Sequence, residues 1–206
     1  MHKIPIFRQP EGSVICGPVC LKMLLHHHGI KMPVNEIVKN IKMHKKGTSP
    51  GELGKFLLKQ GFDVTIANMD VTLFPSKLKN KNINSQVLSL KRKLDSLDSA
   101  SKRMAKGLIS FVESGGNVVM KVTTARDIKN LLSKGNPLIF RIERSSLYKV
   151  DELGDHGHYV LPVKINGDKI TINDPQEEYG GIKTYRIEDL LFSLYSRRGY
   201  VISVDS

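Results

Sequence analysis

The chain has 206 residues, of which 40% are hydrophobic and 25% charged, and its formal net charge is +12. This balance is typical of a globular protein with one large domain or two small ones. No apolar run approaches the ~20 residues that span a bilayer, and the first residues lack the apolar segment of a secretory signal. We therefore expect no transmembrane segment and a cytoplasmic location.

The net charge limits the expected binding partners, and the number of cysteines limits the roles that they can have. Excess positive charge favours acidic partners, including nucleic acid and anionic membranes, although a lysine-rich solubilising surface is the simpler explanation. Seven Phe, six Tyr and no Trp provide no interleaved basic and aromatic surface, so nucleic acid is not the expected partner. Two cysteines are too few for a disulfide framework, and they predict free thiols, a ligand pair or a nucleophile.

The first predicted helix begins at Gly17-Pro18, because proline is favoured at the first helical position. Apolar residues cover this helix almost all round, which predicts that it is buried, and Gly29 suits its C-terminal end. Apolar spacing and end signals locate the other elements. They are helices at 33–41, 50–60, 124–132 and 187–197, and strands at 62–67, 117–122, 138–142, 158–165, 168–174 and 200–204.

The segment 70–116 differs from the rest in charge. Nine Lys or Arg and two Asp lie between residues 77 and 107. Apolar residues recur about three or four apart, which predicts one long or two short amphipathic helices that end at Gly115-Gly116. The basic residues are best explained as a solvated helical face and only secondarily as a partner surface.

The order of the elements predicts an α+β fold, because the helices come mostly first and the strands mostly last. Thr124 and Asp127 have the spacing of a capping box at the start of the 124–132 helix. The buried N-terminal helix is expected to pack on a C-terminal antiparallel sheet. Within that sheet, Asn166-Gly167 is a strong hairpin signal between two strands.

Cys16 lies where the first helix begins, and there the free N–H groups and the helix dipole favour a thiolate. Cys20 lies one turn deeper in the apolar stripe and is expected to be inert. A catalytic cysteine needs a base and a group that orients it. The hairpin brings together its two open ends, at His158 and Asp174, which is the arrangement of a Cys-His-Asp triad.

An acyl-transfer site also needs donors for the oxyanion. The side-chain amide of Gln9 and the backbone N–H of Cys16 are the candidates. The hairpin must meet one further condition, because side chains alternate between the faces of a strand. A regular two-residue turn at Asn166-Gly167 would place His158 and Asp174 on opposite faces, so we expect a three-residue loop or an equivalent bulge.

The stretch "QPEGSVICGPVCLKMLLHHHG" resembles the N-terminal motif of the papain-like peptidases that process double-glycine leaders, and of their free-standing relatives. The resemblance continues in "IKNLLSKGNPLIFRI", "GHYVLPVKI" and "INDP". It implies a papain-like fold and thiol peptidase chemistry, with no cofactor or metal and a peptide or protein as substrate. Carried onto this chain, it makes Gln9 the oxyanion donor, Cys16 the nucleophile, His158 the base and Asp174 the orienting group.

The resemblance implies one peptidase domain over residues 1–206, in which the helical segment 70–116 is an insertion without a match in the family. The chain also departs from the family at Ile15, where leader-processing members carry an acidic residue. Histidines replace the tyrosine pair that usually precedes Gly29. The substrate sequence and the oligomeric state therefore stay open.

Other interpretations of these residues remain. Cys16 as a buried structural cysteine is one, and a zinc site made from the histidines at 26–28 with Cys16 and Cys20 is another. Consecutive helical residues point in different directions, so helix-terminal histidines that satisfy the last carbonyls are favoured over zinc. His156 competes with His158 for the role of base, and we place it in a loop at the cleft rim.

The leading hypothesis is a cysteine peptidase, and two alternatives accompany it. One is an inactive, peptidase-like binding module that uses the basic helices of 70–116. The other is acyl transfer on the same triad, as a transpeptidase or amidase. The Gly115-Gly116 and Gly180-Gly181 pairs resemble double-glycine cleavage sites but are better explained as turns and caps. We expect the helices of 70–116 to pack beside or over the cleft, where they would select acidic substrates.

Overall fold

The computed structural model describes residues 4–75, 82–150 and 157–205, which form one seven-stranded sheet with helices packed on it. The α+β class is confirmed. The helices are α1 Cys16–His27, α2 Val34–Lys39, α3 Pro50–Lys59, α4 Ile83–Lys93, α5 Ser99–Glu113, α6 Ala125–Ser133, α7 Arg144–Tyr148 and α8 Ile187–Tyr195. The strands are β1 Asp63–Asn68, β2 Asn117–Met120, β3 Leu138–Glu143, β4 Gly157–Asn166, β5 Lys169–Asp174, β6 Gly181–Arg186 and β7 Val201–Asp205.

The strand order across the sheet is β2-β1-β7-β3-β4-β5-β6. The pair β1 and β2 is parallel, and the other neighbouring pairs are antiparallel. The strand β7 therefore joins a short pair of strands on one side to four strands on the other. The predicted antiparallel C-terminal sheet corresponds to the part from β7 to β6.

Two buried apolar clusters lie around this sheet. The first joins the helices α1 to α5 to the strands β1, β2 and β7, and it also includes Ile139 of β3 and Tyr159 and Leu161 of β4. The second joins α6 and α8 to β3, β4 and β5. The prediction of a buried N-terminal helix is confirmed, because most of α1 is buried and the helix packs on β4. The capping box at Thr124 and Asp127 is also present at the start of α6.

The segment 70–116 contains two helices, α4 and α5, joined by a 3-10 turn at Leu94–Ser96; residues 76–81 lie outside the described part. Their apolar side chains, among them Leu90, Leu108 and Phe111, belong to the same buried cluster as α1. The helix α5 packs closely on α3. The apolar faces of these helices complete the core, and the expectation that the segment packs beside or over the cleft stays a prediction.

The sequence analysis missed α7 and β6. The helix α7 has five residues, which is too short for an apolar period, and the Glu143 side chain caps it by accepting from the Ser145 N–H. The strand β6 is largely exposed and has no apolar alternation, so its place comes from its pairing with β5. Gly180-Gly181 leads into this strand, and Gly181 has a φ of +101°, as expected for a turn.

The close approach of α3 and α5 gives a first prediction. A Cβ atom built on Gly51 would lie 2.2 Å from the backbone carbonyl carbon of Gly107, and backbone atoms cannot move aside as a side chain can. Gly51→Ala should therefore lower the free energy of unfolding by about 2 kcal/mol or more, measured by urea denaturation. Lys59→Ala on the exposed side of α3 is the matched control, and equal losses would contradict the prediction.

Candidate active site

Cys16 is the first residue of α1, and only 8% of it is exposed. Its sulfur accepts hydrogen bonds from the backbone N–H groups of Gly17 and Tyr159 and contacts the side chain of His158. The first N–H groups of a helix have no partner within the helix. The sulfur therefore lies at the positive end of α1, with N–H groups directed at it.

His158 lies at the start of β4, where it pairs with Ile142 of β3. Its Nε2 atom is 2.7 Å from Oδ1 of Asp174, at the end of β5. The Asp174 carboxylate also accepts from the Tyr148 hydroxyl and from the Gln176 N–H, at 2.7 and 2.9 Å. The two side chains are 3% and 0% exposed, so this hydrogen-bonded pair is shielded from water.

The register of the hairpin places His158 and Asp174 on the same face. A two-residue turn at 167–168 pairs Asn166 with Lys169, and Gly167 adopts a φ of +59°. The register then shifts by one residue between Pro162 and Lys164, so that Leu161 pairs with Asn173. The predicted bulge is confirmed. It shifts the pairing by one residue, as the alternative three-residue loop would have done.

The charges of the site stabilise one another. Burial raises the pKa of the Cys16 thiol, but the charge and hydrogen bond of His158 outweigh it, so the pKa lies below its ordinary value. Burial lowers the pKa of His158, and the charges of Asp174 and Cys16 outweigh this effect and raise the pKa to about 9. A thiolate beside an imidazolium is therefore favoured at neutral pH.

Cys20 has the opposite environment. It is fully buried, and burial raises the pKa of its thiol well above the ordinary value, with further increases from the charges of Cys16 and Asp174. Its sulfur donates to the backbone carbonyl of Tyr159 at 3.3 Å. These contacts fit the expected role of Cys20 as an inert core thiol.

Gln9 lines a pocket of about 200 Å³ together with Cys16 and His158. Its side-chain Nε2 donates to the Ser13 carbonyl at 2.9 Å, which fixes the orientation of the amide and leaves its second N–H available. Its backbone N–H donates to the Pro175 carbonyl at 2.8 Å. The segment that carries Gln9 is thus attached directly to the chain that follows Asp174.

The structure brings together all four predicted site residues, but sequence analysis missed several of their neighbours. Tyr148 was missed because α7 gave no periodic signal. Lys46, Arg144 and Gln176 line the same pocket, and no motif indicated them. His156, the alternative base, lies outside the described residues.

The zinc alternative finds no support in the described part of the chain. No group of three or more His, Cys, Asp or Glu side chains there has an arrangement that would hold a metal ion. At the end of α1, the His26 ring packs edge-on against Phe7, and the His28 ring packs against Phe62. In addition, none of the helices within the described ranges is long and apolar enough to cross a membrane.

Comparison with known proteins finds similarity to one peptidase family. The sequence matches the model of the Peptidase C39 family over residues 3–94, which include Gln9 and Cys16. The structure is similar to the peptidase domain of Streptococcus ComA, with a TM-score of 0.55, 14% identity, and coverage of 99% of this chain and 100% of that one. The resemblance to the C39 peptidases is thus confirmed. A search of curated proteins finds no match.

Two further C39 structures support the same papain-like fold. A C39-like peptidase from Bacillus anthracis has a TM-score of 0.57 and 12% identity, and the match covers 98% of this chain and 94% of that one. A double-glycine-motif protease from an AMS/PCAT transporter, solved with its leader peptide, has a TM-score of 0.54 and 15% identity, with 99% and 93% covered. At these identities the C39 likeness establishes the fold, and the roles of His158 and Asp174 depend on the geometry of this chain.

The contrast between the two cysteines gives a second prediction. Limited iodoacetamide at neutral pH should label Cys16 before Cys20, because the pKa is lowered at Cys16 and raised at Cys20. Mass spectrometry of the digested protein measures both rates in one sample. Equal labelling, or faster labelling of Cys20, would contradict the assignment of Cys16 as the nucleophile.

Proposed function

We propose that this protein is a cysteine peptidase that cleaves a peptide bond through an acyl-enzyme on Cys16. The C39 family match and the papain-like fold support the general class of cysteine peptidase. The observation that carries the specific proposal is the buried 2.7 Å contact between His158 and Asp174, beside a sulfur at the start of α1. This is the arrangement that a base, its orienting carboxylate and a nucleophile require.

The proposed reaction has two stages. In the first, the Cys16 thiolate attacks the substrate carbonyl carbon, and Gln9 Nε2 and the Cys16 N–H donate to the oxyanion. His158 gives its proton to the leaving amine as the C–N bond breaks, which leaves a thioester. In the second stage, His158 takes a proton from water and the water oxygen attacks the thioester. The C–S bond then breaks, the acid product leaves, and the Cys16 thiolate is restored beside the protonated His158.

The proposed substrate is a peptide or a protein. A solved C39 protease of the same fold was crystallised with its leader peptide, so double-glycine leaders are the first substrates to test here. The small pocket at Cys16 is lined by Gly12 and Gly157, which suits small side chains next to the scissile bond. Both cysteines are free thiols, which supports the proposed cytoplasmic location.

The same machinery also supports acyl transfer, if an amine replaces water in the second stage. A specific peptide amine added during cleavage would then appear in the product. For an inactive binding module, by contrast, there is no reason to keep a thiolate, an imidazolium and a carboxylate in line. We propose a single peptidase domain over 1–206, and the helices of the segment 70–116, which the family match covers as far as residue 94, are part of its core.

The third prediction tests the proposed function directly. A fluorogenic peptide library with glycine before the scissile bond should be cleaved by the wild-type protein and not by Cys16→Ala, because the variant has no nucleophile. Cys20→Ala is the matched control, since it also removes a buried thiol from α1 but leaves the triad intact. Equal cleavage by wild type and Cys16→Ala would refute the peptidase proposal.

The fourth prediction concerns pH. The leaving amine needs the His158 proton, so kcat should fall as the pH rises through the His158 pKa of about 9. Activity should also fall at acidic pH, as the thiolate of Cys16 becomes protonated below its lowered pKa. Circular dichroism at each pH shows whether a loss of activity comes from unfolding. An alkaline limb near the ordinary histidine value of about 6.5 would count against the buried ion pair.

A further inference from the structure

The Asp174 carboxylate is held by three donors on two oxygens. His158 and the Gln176 N–H both contact Oδ1, and the Tyr148 hydroxyl contacts Oδ2 at 2.7 Å. Among the described residues, Tyr148 is the one hydrogen-bond partner of Oδ2. Because Asp174 is 0% exposed, no solvent replaces this donor, and an ionised buried carboxylate without a partner on one oxygen is costly.

Tyr148 is itself held in place. It is the last residue of α7, and its ring stacks on Tyr179 with centroids 5.2 Å apart and an angle of 22°. Its ring also meets the His158 imidazole edge-on at 6.4 Å. The Tyr148 ring therefore lies between Tyr179 and the imidazole that is hydrogen-bonded to Asp174.

The start of α7 is anchored by one side chain, Glu143. Its carboxylate accepts from the Ser145 N–H and forms an ion pair with Arg197, and its backbone carbonyl accepts from the Ser193 hydroxyl of α8. The position of the Tyr148 hydroxyl is thus fixed from α8 through α7. Glu143 also pairs with Gly157 of β4, so the same residue connects α7 to the strand that carries His158.

We propose that Tyr148 is a positioning residue of the triad, whose hydroxyl holds the Asp174 carboxylate so that Oδ1 stays directed at His158. This inference rests on the proposed function. Without the hydroxyl, the carboxylate is free to turn about its terminal bond, and the imidazole loses its fixed orientation beside Cys16. The loss falls on the chemical step, because Tyr148 is not among the residues that line the substrate pocket.

The test compares Tyr148→Phe with Tyr195→Phe. Both changes remove one hydroxyl and keep the ring, but the Tyr195 hydroxyl donates to the Thr123 carbonyl, away from the triad. On a peptidyl-Gly-Gly-aminomethylcoumarin, Tyr148→Phe should lower kcat by about 10- to 100-fold with KM within about twofold. Tyr195→Phe should leave both constants near those of the wild type.

A second measurement does not depend on turnover. The rate of Cys16 alkylation by iodoacetamide should fall about fivefold at pH 7 in Tyr148→Phe, and its pH profile should move to higher pH. The reason is that a poorly held imidazolium lowers the Cys16 pKa less. At pH 10 the two proteins should react at similar rates, since the thiol ionises without help.

A double-mutant cycle with Asp174→Asn separates a positioning role of Tyr148 from a general effect on folding. If Tyr148 acts through Asp174, adding Tyr148→Phe to Asp174→Asn should change the alkylation rate by less than about twofold. The same loss in both backgrounds, or unchanged kcat and alkylation in Tyr148→Phe alone, would overturn the inference. Failure of the proposed function looks different, because the wild-type Cys16 would then show no preferential alkylation.

Discussion

The hydrogen bond between His158 and Asp174 depends on one extra residue in a strand. The turn at 167–168 pairs β4 and β5 in a register that would direct these two side chains to opposite faces. The one-residue shift between Pro162 and Lys164 changes which β4 side chains share a face with those of β5. Beyond it, His158 lies on the same face as Asp174. Bulges of this kind re-aim side chains next to active sites. The proposed roles of Cys16 as nucleophile and Gln9 as oxyanion donor depend on this register, because it places the proposed base, His158, beside them.

The site also depends on three buried groups of alternating charge, which are Cys16, His158 and Asp174. Cys16 and Asp174 bear negative charge on either side of the positive His158, and burial alone would oppose each of the three charges. Burial acts to raise the pKa of Asp174, and the charge and hydrogen bond of His158 outweigh it. Removing one member leaves its neighbour as an uncompensated buried charge, which costs much more than the loss of one contact. The three groups therefore titrate as a coupled unit.

Much of the catalytic arrangement follows from local rules. Gly17-Pro18 marks the start of a helix, so a cysteine just before it meets free N–H groups, and strand parity requires a bulge in the hairpin. The contact between Tyr148 and Asp174 does not follow from such rules, because α7 is short and is positioned by Glu143 and α8. The amphipathic pattern of 82–113 likewise indicates buried faces without indicating the surface that they cover. That surface is α3, through the contact of Gly51 with Gly107.

The central place of β7 has a consequence for the order of folding during synthesis. Without this strand, the sheet consists of two separate pieces, β2-β1 and β3-β4-β5-β6, and β7 comes after both in the chain. The cluster that contains Cys16 includes Tyr159 and Leu161 of β4, so α1 is already attached to the second piece. Such long-range pairing closes late because distant segments must first meet. Until β7 is made, no strand joins the two pieces of the sheet, and Cys16 is held beside His158 by the packing of α1 on β4.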